Sequence, residues 1–192
     1  MSDRSVTNIL IVGVGGQGIV LAGDCIAFAA RAQGLSAKAA EIHGMSQRGG
    51  SVLSEVRYGK DIFSPIIPAG GVDIVLAFEL LEGLRALSRL KKGGLIIVND
   101  QKIIPASVTY GVGVYPEDVK EQISSGAEAI ILDAFKIAGD AGNFRALNSV
   151  MMGVMAKRLE IDKKCWEEAI SSLVKPQYTE VNIKAFNLGY DY

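Results

Sequence analysis

The stretch from Asn8 to Gly34 constrains this chain more than any other. Asn8-Ile9-Leu10-Ile11-Val12 is a short apolar run, and Gly13-Val14-Gly15-Gly16-Gln17-Gly18 follows it directly. Too short for a helix, β-branched and ended by glycine, the run predicts a strand buried on both faces. Ile19 to Gln33 is Ala-rich and helix-favouring, with Gly34 as its C-terminal stop.

The same alternation continues downstream. Ser36 to Ile42 reads as a weak second strand. Val52 to Tyr58 alternates apolar and polar positions, as a half-exposed or edge strand does. Val72 to Phe78 is a further buried strand. Glu79 to Leu90 carries a leucine stripe at helical spacing, stopped by Gly93-Gly94, and Leu95 to Asn99 is the next strand. Val108 to Val114 is strand-like, and Pro116 opens a short helix with Glu117 and Asp118 near its positive end. Ala129 to Leu132 fits strand or helix. Leu147, Val150, Met151, Val154 and Met155 share one helical face, and further helices are expected over Trp166 to Val174 and Val181 to Leu188. Strands alternating with helices predict a three-layer α/β fold. Its central sheet is mostly parallel, helices cover both faces, and the C-terminal third is helical. No linker-like composition or internal repeat interrupts it, so residues 1–192 are expected to form a single domain.

Composition narrows the function. The 192 residues carry 20 Lys+Arg against 21 Asp+Glu, a net charge of -1. That balance gives no electrostatic reason to bind nucleic acid or an anionic membrane surface. Cys25 and Cys165 are the only cysteines and His43 the only histidine. This chain alone therefore supplies neither a four-cysteine iron–sulfur cluster nor a multi-histidine metal site. No signal-like segment or membrane-length apolar run is present, and a cytoplasmic, reducing environment is expected.

Gly13 to Gly18 fits G-x-G-x-x-G between a strand and a helix, the context that motif requires. Glycines permit a sharp turn and close approach, and a helix N-terminus offers unpaired N–H donors to an anion. Three readings stand: a nicotinamide or flavin dinucleotide, with Glu41 about 20 positions on as the ribose acid; another phosphate or anion; and a tight turn with no ligand. No Gly-Lys-Ser/Thr closes the loop, so it is not a Walker A motif.

A second glycine segment follows at once: Glu41-Ile42-His43-Gly44-Met45-Ser46-Gln47-Arg48-Gly49-Gly50-Ser51. Around Ser46 the spacing is one residue too long for a nucleophile elbow, and a strand follows rather than a helix. Ser46 and Ser51 read as loop hydrogen-bonders and His43 as a structural histidine. Arg48 is the leading anion-binding candidate, because a guanidinium forks onto phosphate or carboxylate and the adjacent Gly49 and Gly50 leave backbone N–H groups open. A loop-fixing ion pair, to Glu41 or to a partner subunit, is the competing reading.

Taken together, Gly13 to Gly18 and Glu41 to Val52 resemble the gamma-type domain of the 2-oxoacid:ferredoxin oxidoreductases. The His43-Gly44-Met45-Ser46-Gln47-Arg48-Gly49-Gly50 form is most similar to the beta subunit of the indolepyruvate type. Phe144 to Gly153 and Val181 to Gly189 also resemble that family, so the likeness spans essentially the whole chain. It implies a pyruvate/ketoisovalerate ferredoxin oxidoreductase gamma-type catalytic domain. Such a domain serves a complex that decarboxylates a 2-oxoacid oxidatively, makes an acyl-CoA and reduces ferredoxin.

The family uses thiamine diphosphate and iron–sulfur clusters, yet this chain has no Gly-Asp-Gly and no C-x-x-C. The resemblance therefore implies a non-redox subunit, inactive alone and without catalytic residues of its own. Thiamine and clusters are expected on a large partner subunit, with ferredoxin an indirect partner. Coenzyme A is the one cofactor the chain is expected to contact, through Gly13, Gly15, Gly16, Gln17, Gly18, Arg48, Gly49, Gly50 and Ser51. The alternatives are a free-standing NAD/FAD oxidoreductase and a structural assembly protein with empty glycine loops. Gln17 fits a ligand contact or a turn cap. Cys25, Cys165, Met151, Met152 and Met155 read as core, and Asn187 to Tyr192 as a subunit-contact tail or a frayed end.

Overall fold

The computed structural model describes residues 6–43 and 50–192. In chain order the elements are β1 (Thr7–Val14), α1 (Ile19–Ala32), β2 (Ser36–His43), β3 (Ser51–Gly59), β4 (Val72–Ala77), α2 (Leu80–Ala86), β5 (Leu90–Asn99), α3 (Ala106–Thr109) and α4 (Val119–Gly126). There follow β6 (Glu128–Leu132), α5 (Ala134–Ala141), α6 (Leu147–Ala156), α7 (Lys163–Leu173) and α8 (Pro176–Asp191).

The strands form one six-stranded sheet in the order β2-β3-β1-β4-β5-β6. The β1–β4, β4–β5 and β5–β6 pairs are parallel, as expected. Side chains alternate across this sheet and so build two cores. Ile9, Ile11, Ile74, Leu76 and Ile97 face α1, α5, α6, α7 and α8. Leu10, Val12, Val75, Ala77, Ile96 and Val98 face α2 and α4. Strands covered on both faces must be apolar at consecutive positions, which is why β1, β4 and β5 were legible as uninterrupted runs.

The strand over Val52 to Tyr58 is not at an edge. β3 lies between β2 and β1 and is antiparallel to both, so β2 is the edge strand. Its alternation reflects contact with α1 on one side, where Gly23 abuts Ser54, and a buried ion pair on the other, where Arg89 meets Glu55 at 2.6 Å. Glu55 and Arg57 are paired there rather than solvated, while the Ser54 hydroxyl is buried without a hydrogen-bond partner among the described residues.

Three local expectations fail. The leucine-striped helix ends at Ala86, a single 3-10 turn covers Leu87–Arg89, and β5 begins at Leu90. Gly93-Gly94 sits inside that strand, where the register against β4 slips. Gly93 has φ +77°, and a Cβ on Gly94 would lie 3.1 Å from the Asp73 carbonyl oxygen. The pair marks a bulge, not a helix stop. Val108 to Val114 is not a strand: Pro105 starts the short α3, Gly111 turns the chain at φ +73°, and Val112 and Val114 are exposed. The helix after Pro116 starts only at Val119.

The C-terminal segment is not a frayed end, since α8 runs to Asp191 and packs on α6. A Cβ on Gly153 would lie 2.1 Å from the Phe186 carbonyl oxygen, and one on Gly189 would lie 2.1 Å from that of Val150. Glycine is required at both positions because the helix backbones touch. We predict that Gly153→Ala and Gly189→Ala each lower unfolding free energy by about 3 kcal/mol or more, at the upper end of overpacking costs. Gly113→Ala, whose Cβ meets nothing closer than 3.8 Å, should leave the urea midpoint close to that of the parent chain.

Candidate functional site

Antiparallel pairing of β1 with β3 decides where the two glycine segments meet. The end of β1 lies beside the start of β3, with Gly13 opposite Val52 and Val14 opposite Ser51. The ladder continues one step further, with Gly15 N–H donating to the Gly50 carbonyl at 3.1 Å. Both segments therefore emerge at the carboxyl edge of the parallel strands. There the connection from β1 leads to α1 on one face and that from β4 leads to α2 on the other. In open α/β sheets such a divergence opens a crevice between the strand ends.

Here the Gln17 side chain closes that crevice. Its Oε1 accepts from Val14 N–H at 2.7 Å. Its Nε2 donates to the Phe78 carbonyl and to Gln101 Oε1, both at 3.0 Å. Asn99, fully buried, donates to the same two acceptors at 3.2 Å and accepts from Ala134 N–H at 3.1 Å. Gln17 is thus a link between strand ends, the cap-like reading of the two considered. A hydrogen-bonding amide three positions after Val14 was visible in the sequence; its partners, 61 and 84 positions away, were not.

The glycines divide by role. Gly13 is buried, and a Cβ there would meet Gln17 Oε1 at 2.7 Å and Phe78 Cβ at 3.0 Å. Gly18 caps α1 at φ +81°, with the Asn148 amide 2.8 Å from where its Cβ would stand. Gly16 has φ +99° and open space around it, so its constraint is backbone conformation alone. Gly15 and Gly16 are exposed and form the accessible part of the loop. Arg48 and Gly49, together with Met45, Ser46 and the side chain of His43, lie outside the described residues.

Two acids missed from the sequence sit beside this loop. Glu79 is buried: Oε2 accepts from Glu82 N–H at 2.9 Å, capping α2, while Oε1 accepts from Ile103 N–H at 3.1 Å and Tyr115 O–H at 2.8 Å. Burial, reinforced by that carboxylate, pushes the Tyr115 phenol well up from its usual range. Glu82, also buried, accepts from Ser51 Oγ at 2.5 Å and pairs with Arg85 at 2.7 Å. Val14, Gly50, Ser51, Glu79, Glu82 and Arg85 help to line a cavity of about 210 Å³. With two carboxylates against one guanidinium, this cavity suits a neutral or cationic group better than a phosphate.

The dinucleotide reading loses its acid. Glu41 is on the edge strand β2, separated from β1 by β3, whereas the ribose acid of that motif ends the strand next to the first. Cys25 and Cys165 are both buried. Burial pushes the Cys25 thiol up to about 12 and the Cys165 thiol up as well, which disfavours the thiolate that metal or redox chemistry needs.

A family model described as pyruvate ferredoxin/flavodoxin oxidoreductase matches residues 8–192. The chain is 38% identical over 188 residues to indolepyruvate oxidoreductase subunit IorB of Thermococcus kodakarensis, covering 95% of this chain and 93% of that one. It is 41% identical over 189 residues to the subunit of the same name from Archaeoglobus fulgidus, covering 96% and 94%. The crystal structure of the keto/oxoacid ferredoxin oxidoreductase gamma subunit from Geobacter sulfurreducens superposes with a TM-score of 0.71 at 28% identity, covering 96% of both chains.

Two predictions follow from this geometry. Gly13→Ala should displace Gln17 and cost about 2–3 kcal/mol, whereas Gly16→Ala should cost only about 1–2 kcal/mol for its left-handed backbone; urea midpoints measure both. The second concerns alkali. Cys25 and Tyr58 have folded-state values raised by burial to about 12, so the folded chain holds protons that the unfolded chain releases. Their stabilising contribution is complete below the ordinary values of 9.0 and 10.0 and declines as pH rises from there toward 12. Unfolding free energy should therefore fall as pH rises from about 9 toward about 12, and Cys25→Ala should flatten the slope.

Proposed function

The chain belongs to the pyruvate ferredoxin/flavodoxin oxidoreductase family, and from that membership we propose that it is the small subunit of an indolepyruvate-type 2-oxoacid:ferredoxin oxidoreductase complex. The observation that carries this reading is end-to-end similarity to subunits of that name, over 95% of this chain and 93% of the Thermococcus relative. A free-standing nucleotide-dependent enzyme is not favoured, because the relatives are subunits and Glu41 is on the wrong strand.

The complex turns an aryl or other 2-oxoacid into an acyl-CoA and passes electrons to ferredoxin. Thiamine diphosphate, held by a large partner, supplies carbanion stabilisation, and the partner's iron–sulfur clusters carry the electrons. The residues of this chain do not fit those groups, since its two thiols are buried with raised values. Its own contribution is a shaped surface. Gly15, Gly16 and Gly50 bring accessible backbone to the carboxyl edge, while Gln17 and Ser51 use their side chains to hold it, on Phe78 and Glu82.

On this reading Gly13 and Gly18 shape the edge, and Arg48 and Gly49 belong to the coenzyme A contact, Arg48 as the charge that Glu79 and Glu82 do not supply. The edge faces the large subunit and contacts coenzyme A. Assembly in the cytoplasm is part of this proposal; among the described residues no helix is long and apolar enough to cross a membrane.

Co-expression with a large subunit bearing Gly-Asp-Gly and C-x-x-C motifs tests the reading. The expected result is a stable complex that reduces ferredoxin with a 2-oxoacid and CoA, with neither activity nor flavin in the isolated small chain. Turnover of NAD(P) by the chain alone, or no association, would overturn it. In the complex, Arg48→Ala should raise the KM for CoA roughly 10- to 150-fold, the equivalent of about 1.5–3 kcal/mol for a hydrogen bond to a charged group. Arg48→Lys should recover part of the loss. Unchanged constants with easier subunit dissociation would make Arg48 an interface residue instead.

A further inference from the structure

A cavity of about 450 Å³ lies among the helices, away from the glycine edge. Its wall includes the first turns of three of them: Leu21 of α1, Asn148 of α6 and Tyr178 of α8. None of the three helices has a side-chain cap hydrogen bond or an acidic residue in its first turn. Each therefore turns the positive end of its dipole toward the same space, but the free N–H donors come from α1: Leu147 and Ser149 N–H of α6 donate to the Phe144 carbonyl and Asn148 Oδ1, and α8 opens on Pro176, with Tyr178 N–H on the Lys175 carbonyl.

The side chains add to this field. Arg145 and Lys175 both line the cavity, and neither side chain has a partner among the described residues. Asn148 is only 5% exposed. Its Oδ1 accepts from Ser149 N–H at 3.0 Å, while its Nδ2 has no partner among the described residues. Nδ2 is not sealed from solvent and stands at the cavity wall as an open donor. Asn182 is held in place behind it, accepting from Ser149 Oγ at 2.7 Å and donating to the Tyr178 carbonyl at 2.8 Å. No Asp or Glu is among the lining residues. Leu21, Leu173 and the Tyr178 ring supply an apolar side wall.

We propose that this cleft binds a small phosphorylated molecule, with its phosphates on Arg145, Lys175, Asn148 Nδ2 and the helix starts and its organic body against Tyr178 and Leu173. The volume falls within the range of small-molecule sites, roughly 300–1,000 Å³. Two cations with three helix starts favour a multiply charged phosphate over a single carboxylate. This inference does not rest on the subunit reading, and it is tested on the isolated full-length chain.

The experiment is calorimetric titration with ADP and with inorganic pyrophosphate across a salt series. Saturable binding of both is expected, weakening as salt rises. Arg145→Gln and Lys175→Gln, which change exposed side chains, should each weaken both probes about tenfold without altering the thermal midpoint. Tyr178→Ala should weaken ADP more than pyrophosphate. The proposal is overturned if neither probe binds at millimolar concentration, or if the double variant Arg145→Gln/Lys175→Gln binds as the parent does. Succinate displacing pyrophosphate at equal concentration would also overturn it, by making the site one for carboxylates.

Discussion

The buried carbonyl oxygen of Phe78 stands where β4 has ended and α2 has not begun, and two side-chain amides, from Gln17 and Asn99, donate to it. Left bare, such an oxygen would cost a large part of a hydrogen bond in a dry site. With it satisfied, three neighbouring strands stop together. β1 is fixed through Gln17, β4 through Phe78, and β5 through Asn99, whose Oδ1 also anchors the first turn of α5 at Ala134. From that common line α1 and α2 leave on opposite faces, and the two cores become separate. The placement of the glycine segments follows from the same line, because Gly15 and Gly50 pair one residue beyond it.

The sequence carried the parts of this arrangement that depend on local pattern. Strands covered on both faces need apolar residues at every position, so β1, β4 and β5 stood out, and the Leu147 to Met155 stripe marked α6. What it could not carry was pairing. Whether Val52 to Tyr58 lies inside the sheet depends on its neighbours, and its charged positions Glu55 and Arg57 are satisfied by Arg89 and Asn8, far away in the chain. Gly93-Gly94 shows the same limit: a glycine pair signals a stop or a bulge equally well, and only the partner strand decides. Val108 to Val114 has strand-like residues but no strand to pair with. The glycine loop was legible as a motif, while the amide network that fills it joins residues too distant to suggest one another.

Electrostatics divide the molecule in a way its net charge of -1 conceals. The carboxyl edge holds buried Glu79 and Glu82, satisfied by backbone, Tyr115, Ser51 and Arg85. The helical layer holds Arg145 and Lys175 near helix starts whose N-cap residues make no side-chain cap bond. A motif search places anions at the glycine loop. The charges place them on the other side of Gly18, where Asn148 lies against its backbone.

The touching backbones of α6 and α8 bear on how that helical layer responds to a ligand. Where side chains separate two helices, rotamer changes let them slide; where Gly153 meets the Phe186 carbonyl, no such slack exists. The first turns of both helices, and the cleft they frame, are therefore set before anything binds. A molecule entering there pays little ordering entropy on the protein's side. Its association rate is then governed by encounter and charge rather than by a closing motion, so exchange at this cleft is fast even when affinity is modest.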